Sequence, residues 1–290
     1  MKVKGFSGLN TVADSSRLGP DKYGIIPLTE AVNVEVDQYN RIIRRRGCVQ
    51  KRAEDSHSLW SDGGPCYFVS GGALFELLPD FSRRGIRSGI GDNPVSFAQA
   101  GDKVFYCNGE YKGYVQDGQS KPWAVSAFVG PETDRTFDDP PIGHLCAYFA
   151  GMMWVAREDE IFRSEPFALG WFDLFGRRLR EKGKIRLLAP VANGIYIGDE
   201  FSIYFYGLER ERTKVADYPA IEGAVTFCDA SAVSDKMSGR SAIITTTNGI
   251  CLAAPGGAFI NLTEDTLTYP PALSGSSVLN KNRLITLLHD

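Results

Sequence analysis

Residues able to do chemistry are few and scattered in this 290-residue chain. The three histidines, His57, His144 and His289, lie far apart and never at His-x-x-x-His spacing. A helical zinc site is therefore excluded, and a histidine triad has little material. There is no Gly-x-x-x-x-Gly-Lys-Ser/Thr loop to cradle phosphates and no Gly-x-Ser-x-Gly elbow to expose a nucleophile. The six cysteines, Cys48, Cys66, Cys107, Cys146, Cys228 and Cys251, form no Cys-x-x-Cys pair, and most sit in apolar runs such as Val104-Phe105-Tyr106-Cys107. Cysteines so placed are expected to act as small buried hydrophobes rather than as metal ligands or disulfides. No metal and no cofactor is expected.

Acid/base hydrolysis needs two carboxylates at a suitable separation. Asp92, Asp138, Asp139 and Asp229 are the candidates if their loops converge, with His144 following Asp138-Asp139-Pro140-Pro141. The plainer reading of that stretch is a loop stiffened by two prolines. The Ser-x-Asp-x-Gly repeat of sialidases is missing, and no catalytic residue is assigned. The densest charge cluster is Arg44-Arg45-Arg46, followed by Lys51 and Arg52. Arginine forks match carboxylate and phosphate geometry, so the cluster can face an acidic neighbouring subunit, touch nucleic acid, or merely blunt a strand edge. With 32 Lys+Arg against 35 Asp+Glu, a net charge of −3, and no aromatic–basic interleaving, an interface ranks first and specific DNA binding last. The stretch Glu209-Arg210-Glu211-Arg212 joins the candidate interface.

These residues must be positioned by strands. Short apolar runs rich in Val, Ile, Phe, Tyr and Thr alternate with Gly and Asn turns, as in Tyr67-Phe68-Val69-Ser70-Gly71-Gly72-Ala73-Leu74-Phe75 and Ile243-Ile244-Thr245-Thr246-Thr247-Asn248-Gly249-Ile250-Cys251-Leu252. Five such units and a truncated sixth (Ser277 to Leu288) recur about every 40 residues, the scale of a propeller blade. The spacing predicts an all-β propeller of about five blades, alternatively six, in preference to a β-sandwich made of the same hairpins. Val32, Val34 and Val36 alternate with polar residues, and Arg41 to Arg44 returns after a turn. This hairpin is expected to complete the last blade and latch the ring, giving an extended arm over 1–30 and a single propeller domain over 31–290. Helix is expected to be scarce, with Phe172 to Glu181 and Leu208 to Lys214 as excursions from blades. Composition is that of a globular protein: 43% hydrophobic and 23% charged residues. No stretch approaches the roughly 20 apolar residues of a membrane span. Met1 to Phe6 lacks the apolar core of a signal peptide, so a soluble protein folded in the cytoplasm is expected.

The stretch Thr29-Glu30-Ala31-Val32-Asn33-Val34-Glu35-Val36-Asp37, followed by Asn40-Arg41-Ile42-Ile43-Arg44-Arg45-Arg46-Gly47, resembles the opening of virion proteins of tailed bacteriophages. Lys214-Val215-Ala216-Asp217-Tyr218 with Ile221-Glu222-Gly223, and Asn248-Gly249-Ile250-Cys251 with Gly256-Gly257 and Asn261-Leu262-Thr263, extend the resemblance in order. The set is similar to the β-propeller tail and neck proteins that include packaged-DNA-stabilisation and nozzle proteins. The resemblance implies a structural, non-enzymatic virion component, assembled in the host cytoplasm as a homo-oligomer with other tail or neck proteins, past which packaged DNA moves without sequence-specific binding. The chain is short beside the nozzle proteins, so a smaller hub, adaptor or decoration protein fits equally well. The alternative is a carbohydrate-active or carbohydrate-binding propeller.

Overall fold

A strand buried on both faces reads as an unbroken apolar run, because alternate side chains feed two different cores. The run Val104-Phe105-Tyr106-Cys107 does this: Val104 and Tyr106 enter one core, Phe105 and Cys107 the next. Likewise Ile195 and Ile197 pack on one side of their strand and Tyr196 on the other. The computed structural model describes residues 3–290 except 38, 46, 48, 126–136, 209–210, 234–236 and 281–282.

The chain begins with two small sheets: β1 (Gly5–Leu9) pairs in parallel with β2 (Ile25–Leu28), and β3 (Val34–Val36) with β4 (Ile42–Arg44) as a hairpin. Five antiparallel blades follow. Blade I holds β5 (His57–Trp60), β6 (Cys66–Ser70), β7 (Ala73–Leu77) and β8 (Arg83–Ser88). Blade II holds β9 (Ser96–Ala100), β10 (Lys103–Cys107), β11 (Lys112–Gln116) and β12 (Gln119–Lys121). Blade III holds β13 (Leu145–Phe149), β14 (Met152–Arg157) and β15 (Glu160–Glu165), with its outer position shared by β16 (Ala168–Phe172) and β17 (Arg178–Arg180), which pair with opposite ends of β15. Blade IV holds β18 (Leu187–Val191), β19 (Gly194–Gly198), β20 (Ile203–Gly207) and β21 (Arg212–Ala216). Blade V holds β22 (Ala220–Asp229), β23 (Arg240–Thr246), β24 (Gly249–Ala253) and β25 (Phe259–Asn261). A last hairpin, β26 (Ser274–Asn280) and β27 (Arg283–His289), adds to blade V through a parallel bridge between Glu222 and Ser274. The fold is an all-β, five-bladed propeller.

Each pair of successive blades shares one apolar core. Tyr67, Val69 and Leu74 of blade I meet Phe97, Val104 and Tyr106 of blade II. Corresponding cores join blades II and III around Phe105, Met153 and Phe162, blades III and IV around Trp154, Ile161 and Tyr204, and blades IV and V around Tyr196, Phe205 and Ile244. On its far side blade V offers Ile243 and Leu252 to Leu279 and Leu284 of the last hairpin. Among the described residues no apolar core spans blades V and I. They meet through Arg240 and Asp62, 3.4 Å apart with both side chains nearly half exposed, a contact of the kind worth only about 0–1 kcal/mol.

Turn chemistry follows the sequence where φ must be positive. Gly71 and Gly72, at φ 55° and 68°, close the β6–β7 hairpin with both central residues left-handed. Gly143 is needed for a different reason. A Cβ there would fall within the van der Waals radii of the Ala156 carbonyl oxygen and the Val155 Cγ1, while the Gly143 carbonyl accepts the Gly109 N–H at 2.8 Å. Gly143→Ala is expected to cost about 1–3 kcal/mol, the range for overpacking, read as a fall in the urea midpoint at unchanged slope.

One expectation needs correction. The β3–β4 hairpin does not complete blade V or latch the ring; it stays a separate sheet, because β22 to β25 already supply four strands from contiguous sequence. Within the segment 1–30, β1 pairs with β2, and Asn10 and Thr11 bond to Asp265, Thr266 and Thr268. The strands of the five blades run from His57 to Asn261. Of the two charged stretches read as excursions, the first carries β17 and the second leads into β21.

Candidate interaction surface

The hairpin β3–β4 is built around one aspartate. Asp37 Oδ1 accepts the N–H groups of Tyr39 and Arg41 at 2.9 Å each, and Oδ2 pairs with the Arg41 guanidinium at 2.7 Å. These bonds hold the Asp37 carboxyl below its usual range, with Arg41 the leading cause. Asn40 takes the left-handed position, φ 60°, which short amide side chains tolerate. Asn33 is left-handed too, and its carbonyl accepts the Arg45 N–H at 2.9 Å. The two strands have only three residues each, and all of Ile42, Ile43 and Arg44 are exposed, as are Val32, Tyr39 and Arg45. Neither Arg44 nor Arg45 makes an ion pair among the described residues.

The other expected interface residues have different fates. Lys51 lies 5.2 Å over the Phe81 ring. Arg52 pairs with Glu54, donates to the Phe81 carbonyl at 2.7 Å and lies over Phe68. Together with Arg83, which pairs with Glu54 at 3.2 Å and caps Phe75, these groups cover the outer face of blade I rather than extending the arginine patch. Arg46, Glu209 and Arg210 fall outside the described residues. Glu211 is exposed and lines a groove of about 320 Å³ between blades IV and V, with Asn193, Phe205, Leu208 and Thr213. Arg212 is not free for a partner: it pairs with the carboxylate of Glu181 and stacks 3.8 Å over Tyr204.

Glu181 is a site that the sequence reading missed. Its side chain is fully buried, and it accepts the Tyr206 hydroxyl at 2.6 Å. Burial pushes the carboxyl up, Asp199 adds to the rise, and Tyr206 and Arg212 oppose it. Tyr206 is pushed up in turn by burial and by Glu181. Asp199 is buried as well; its Oδ1 accepts the N–H groups of Phe201 and Ser202 at 2.8 and 2.7 Å. In Arg178-Leu179-Arg180-Glu181-Lys182 the glutamate is one charge among several, and only its closeness to blade IV sets it apart.

The carboxylates considered for hydrolysis do not gather. Asp139 accepts the Val125 N–H at 2.8 Å, and the Asp138 backbone bridges Phe172. Asp229 caps the turn after β22 by accepting from Ser231 at 2.9 Å and Gly239 at 3.2 Å, with its pKa lowered by those bonds. Asp92 and Asp138-Asp139 precede the first strands of blades II and III, whereas Asp229 ends the first strand of blade V. First strands run in one direction about a propeller axis, so Asp229 lies at the opposite end. His144 faces the Ile185 carbonyl at 2.7 Å instead of those carboxylates. Cys107, Cys146 and Cys251 are buried, Cys66 and Cys228 are half-buried, and all five are free thiols. Among the described residues no three His, Cys, Asp or Glu side chains are grouped to hold a metal. No helix among them is long and apolar enough to cross a membrane.

No protein-family model matches this sequence, nor does any curated protein. Solved structures do. An N-terminal BBS1 domain, seen in complex with ARL6, aligns with TM-score 0.50 and 9% identity over 77% of this chain and 71% of that one. The likeness is one of fold. A streptogramin B lyase aligns with TM-score 0.47 and 12% identity over 79% and 76% of the two chains. XC5397 of Xanthomonas campestris, a gluconolactonase, aligns with TM-score 0.44 and 13% identity over 82% and 86%.

Proposed function

We propose that this propeller is a non-enzymatic structural component of a tailed-bacteriophage virion, assembling in several copies with other tail or neck proteins around the DNA channel. The observation that carries the reading is the β3–β4 hairpin. A two-stranded sheet of three-residue strands is at best marginal alone in water, yet this one exposes Val32, Tyr39, Ile42 and Ile43 beside Arg44 and Arg45, which make no ion pair among the described residues. Such a surface gains stability when an apolar and acidic neighbour covers it. It also lies within Thr29 to Gly47, the stretch whose sequence resembles the phage family. The five-bladed body supplies a rigid support with its loops presented at two ends. A mildly acidic chain suits a wall past which DNA slides, since bound phosphates would retard it.

The test is the native mass of the purified protein, alone and mixed with the neighbouring virion proteins. A ring, or entry into a ring only with those neighbours, is the expected result. A stable monomer that ignores them overturns the reading.

A further inference from the structure

The outer edges of the blades are guarded. β8 carries Arg83, Arg84 and Arg87; β12 carries Lys121; β17 carries Arg178 and Arg180; β21 carries Arg212 and Lys214. Charges on an edge strand oppose pairing with another chain. β25 has only three residues, and the uncharged β16 is covered, since Asp138 bridges Phe172 and the Ala124 carbonyl lies against Gly170. β27 differs: seven residues long, it carries no charge and no proline between Arg283 and His289, only Leu284-Ile285-Thr286-Leu287-Leu288. Its far side is unpaired among the described strands. The N-terminal hairpin reaches it by one ion pair, Glu35 to Arg283 at 2.9 Å, at the first residue of the strand.

The register says which backbone groups are free. β26 and β27 pair from Asn280–Arg283 to Ser274–His289 without a shift. A two-residue connection makes the Asn280–Arg283 pair a hydrogen-bonded one, and the pattern alternates from there. The N–H and C=O groups of Leu284, Thr286 and Leu288 therefore point away from β26. These three positions are symmetric about Thr286.

From this we infer that β27 pairs antiparallel with β27 of a second copy of this chain, about a two-fold axis through Thr286. Leu284 bonds to Leu288 of the other copy, and Thr286 to its own mate. Ile285 then lies opposite Leu287 of the other copy, bringing together side chains that are 46% and 60% exposed in the single chain. At the ends the same register sets Arg283 opposite His289 of the other copy. The union is a four-stranded sheet, β26-β27-β27-β26, so each copy supplies the outer half that the other's last hairpin lacks. Such an isologous contact closes on itself and gives a dimer rather than a filament. It goes beyond the phage reading and uses a different surface from the arginine hairpin.

The test is the mass of the purified full chain across a dilution series, by sedimentation and native mass spectrometry. Wild type is expected at twice the 31.8 kDa chain mass. Thr286→Pro removes an outward N–H without touching a β26–β27 hydrogen bond, a place where an edge strand accepts proline. Leu287→Lys guards the same edge from an exposed position. Both variants should lose the double-mass species while keeping the wild-type circular dichroism. Thr286→Cys, at the two-fold, should cross-link two full chains on mild oxidation, with wild type as the control for the native cysteines. A wild type that stays monomeric overturns the inference, even if another protein is found to occupy β27. So does a dimer that survives Thr286→Pro, or one that Thr286→Cys does not cross-link. Arg44→Glu with Arg45→Glu should leave the dimer intact, which separates this contact from the proposed virion interface.

Discussion

Arg212→Ala is expected to lower unfolding free energy by about 3 kcal/mol at neutral pH, the low end for breaking a buried pair. The low end applies because the Arg212 side chain is itself 40% exposed, so part of its attraction is already screened. What remains after truncation is a carboxylate at Glu181 with no exposure, held among the described residues by the Tyr206 hydroxyl. The pH dependence has a definite sign. Burial already raises the Glu181 carboxyl above its usual 4.5. A raised acid binds a proton more readily folded than unfolded, so its protonated form favours the folded state and stability falls as pH climbs from 4.5 through the raised value. Removing Arg212 deletes a group that opposes the rise, so the penalty should be large at pH 7 and shrink as pH drops below 4.5. Urea unfolding of wild type and variant at both pH values measures it. A cost under about 1 kcal/mol at pH 7, or one that does not change with pH, would show that the pair contributes no more than an exposed ion pair does. Glu181→Gln serves as the control, since it removes the titrating charge but retains a hydrogen-bonding group.

Charge reversal at Arg44 and Arg45 should abolish assembly without unfolding the chain. Like charges brought together across an interface cost several kcal/mol, and each 1.4 kcal/mol is tenfold in affinity, so occupancy in purified particles should fall at least about tenfold. Both side chains are exposed and make no ion pair among the described residues, so the unfolding free energy should stay within about 0.5 kcal/mol of wild type. Quantifying the protein in particles made with the double variant decides the matter. Normal incorporation would show that the arginine hairpin is not the contact.

The propeller was legible because strands buried on both faces leave continuous apolar runs, such as Ile203-Tyr204-Phe205-Tyr206, and because Gly71-Gly72 marks its hairpin. The closure was not. Alternating Val32, Val34 and Val36 announce a strand, but alternation does not name its partner, and contiguous pairing of β22 to β25 left no place for a borrowed one. The arginine cluster was legible as a charge run, yet sequence spacing could not separate Arg44 and Arg45, which make no ion pair among the described residues, from Arg52, which covers Phe68. Glu181 was hidden for the same reason. Its burial comes from Tyr206, 25 residues later, a relation that only folding creates.

A ring zipped by an exchanged strand has no end from which to unravel, whereas a bent row of blades has two. Blades I and V share no apolar core among the described residues and touch through Arg240 and Asp62, so opening one side leaves every other blade contact in place. Stability in such a row is a sum of neighbour terms, and the end units fray first. Amide hydrogens should therefore exchange in a gradient along the sequence, slowest in blades III and IV and faster toward blade I. Added salt, by weakening the Arg240–Asp62 pair, should steepen that gradient without moving its centre.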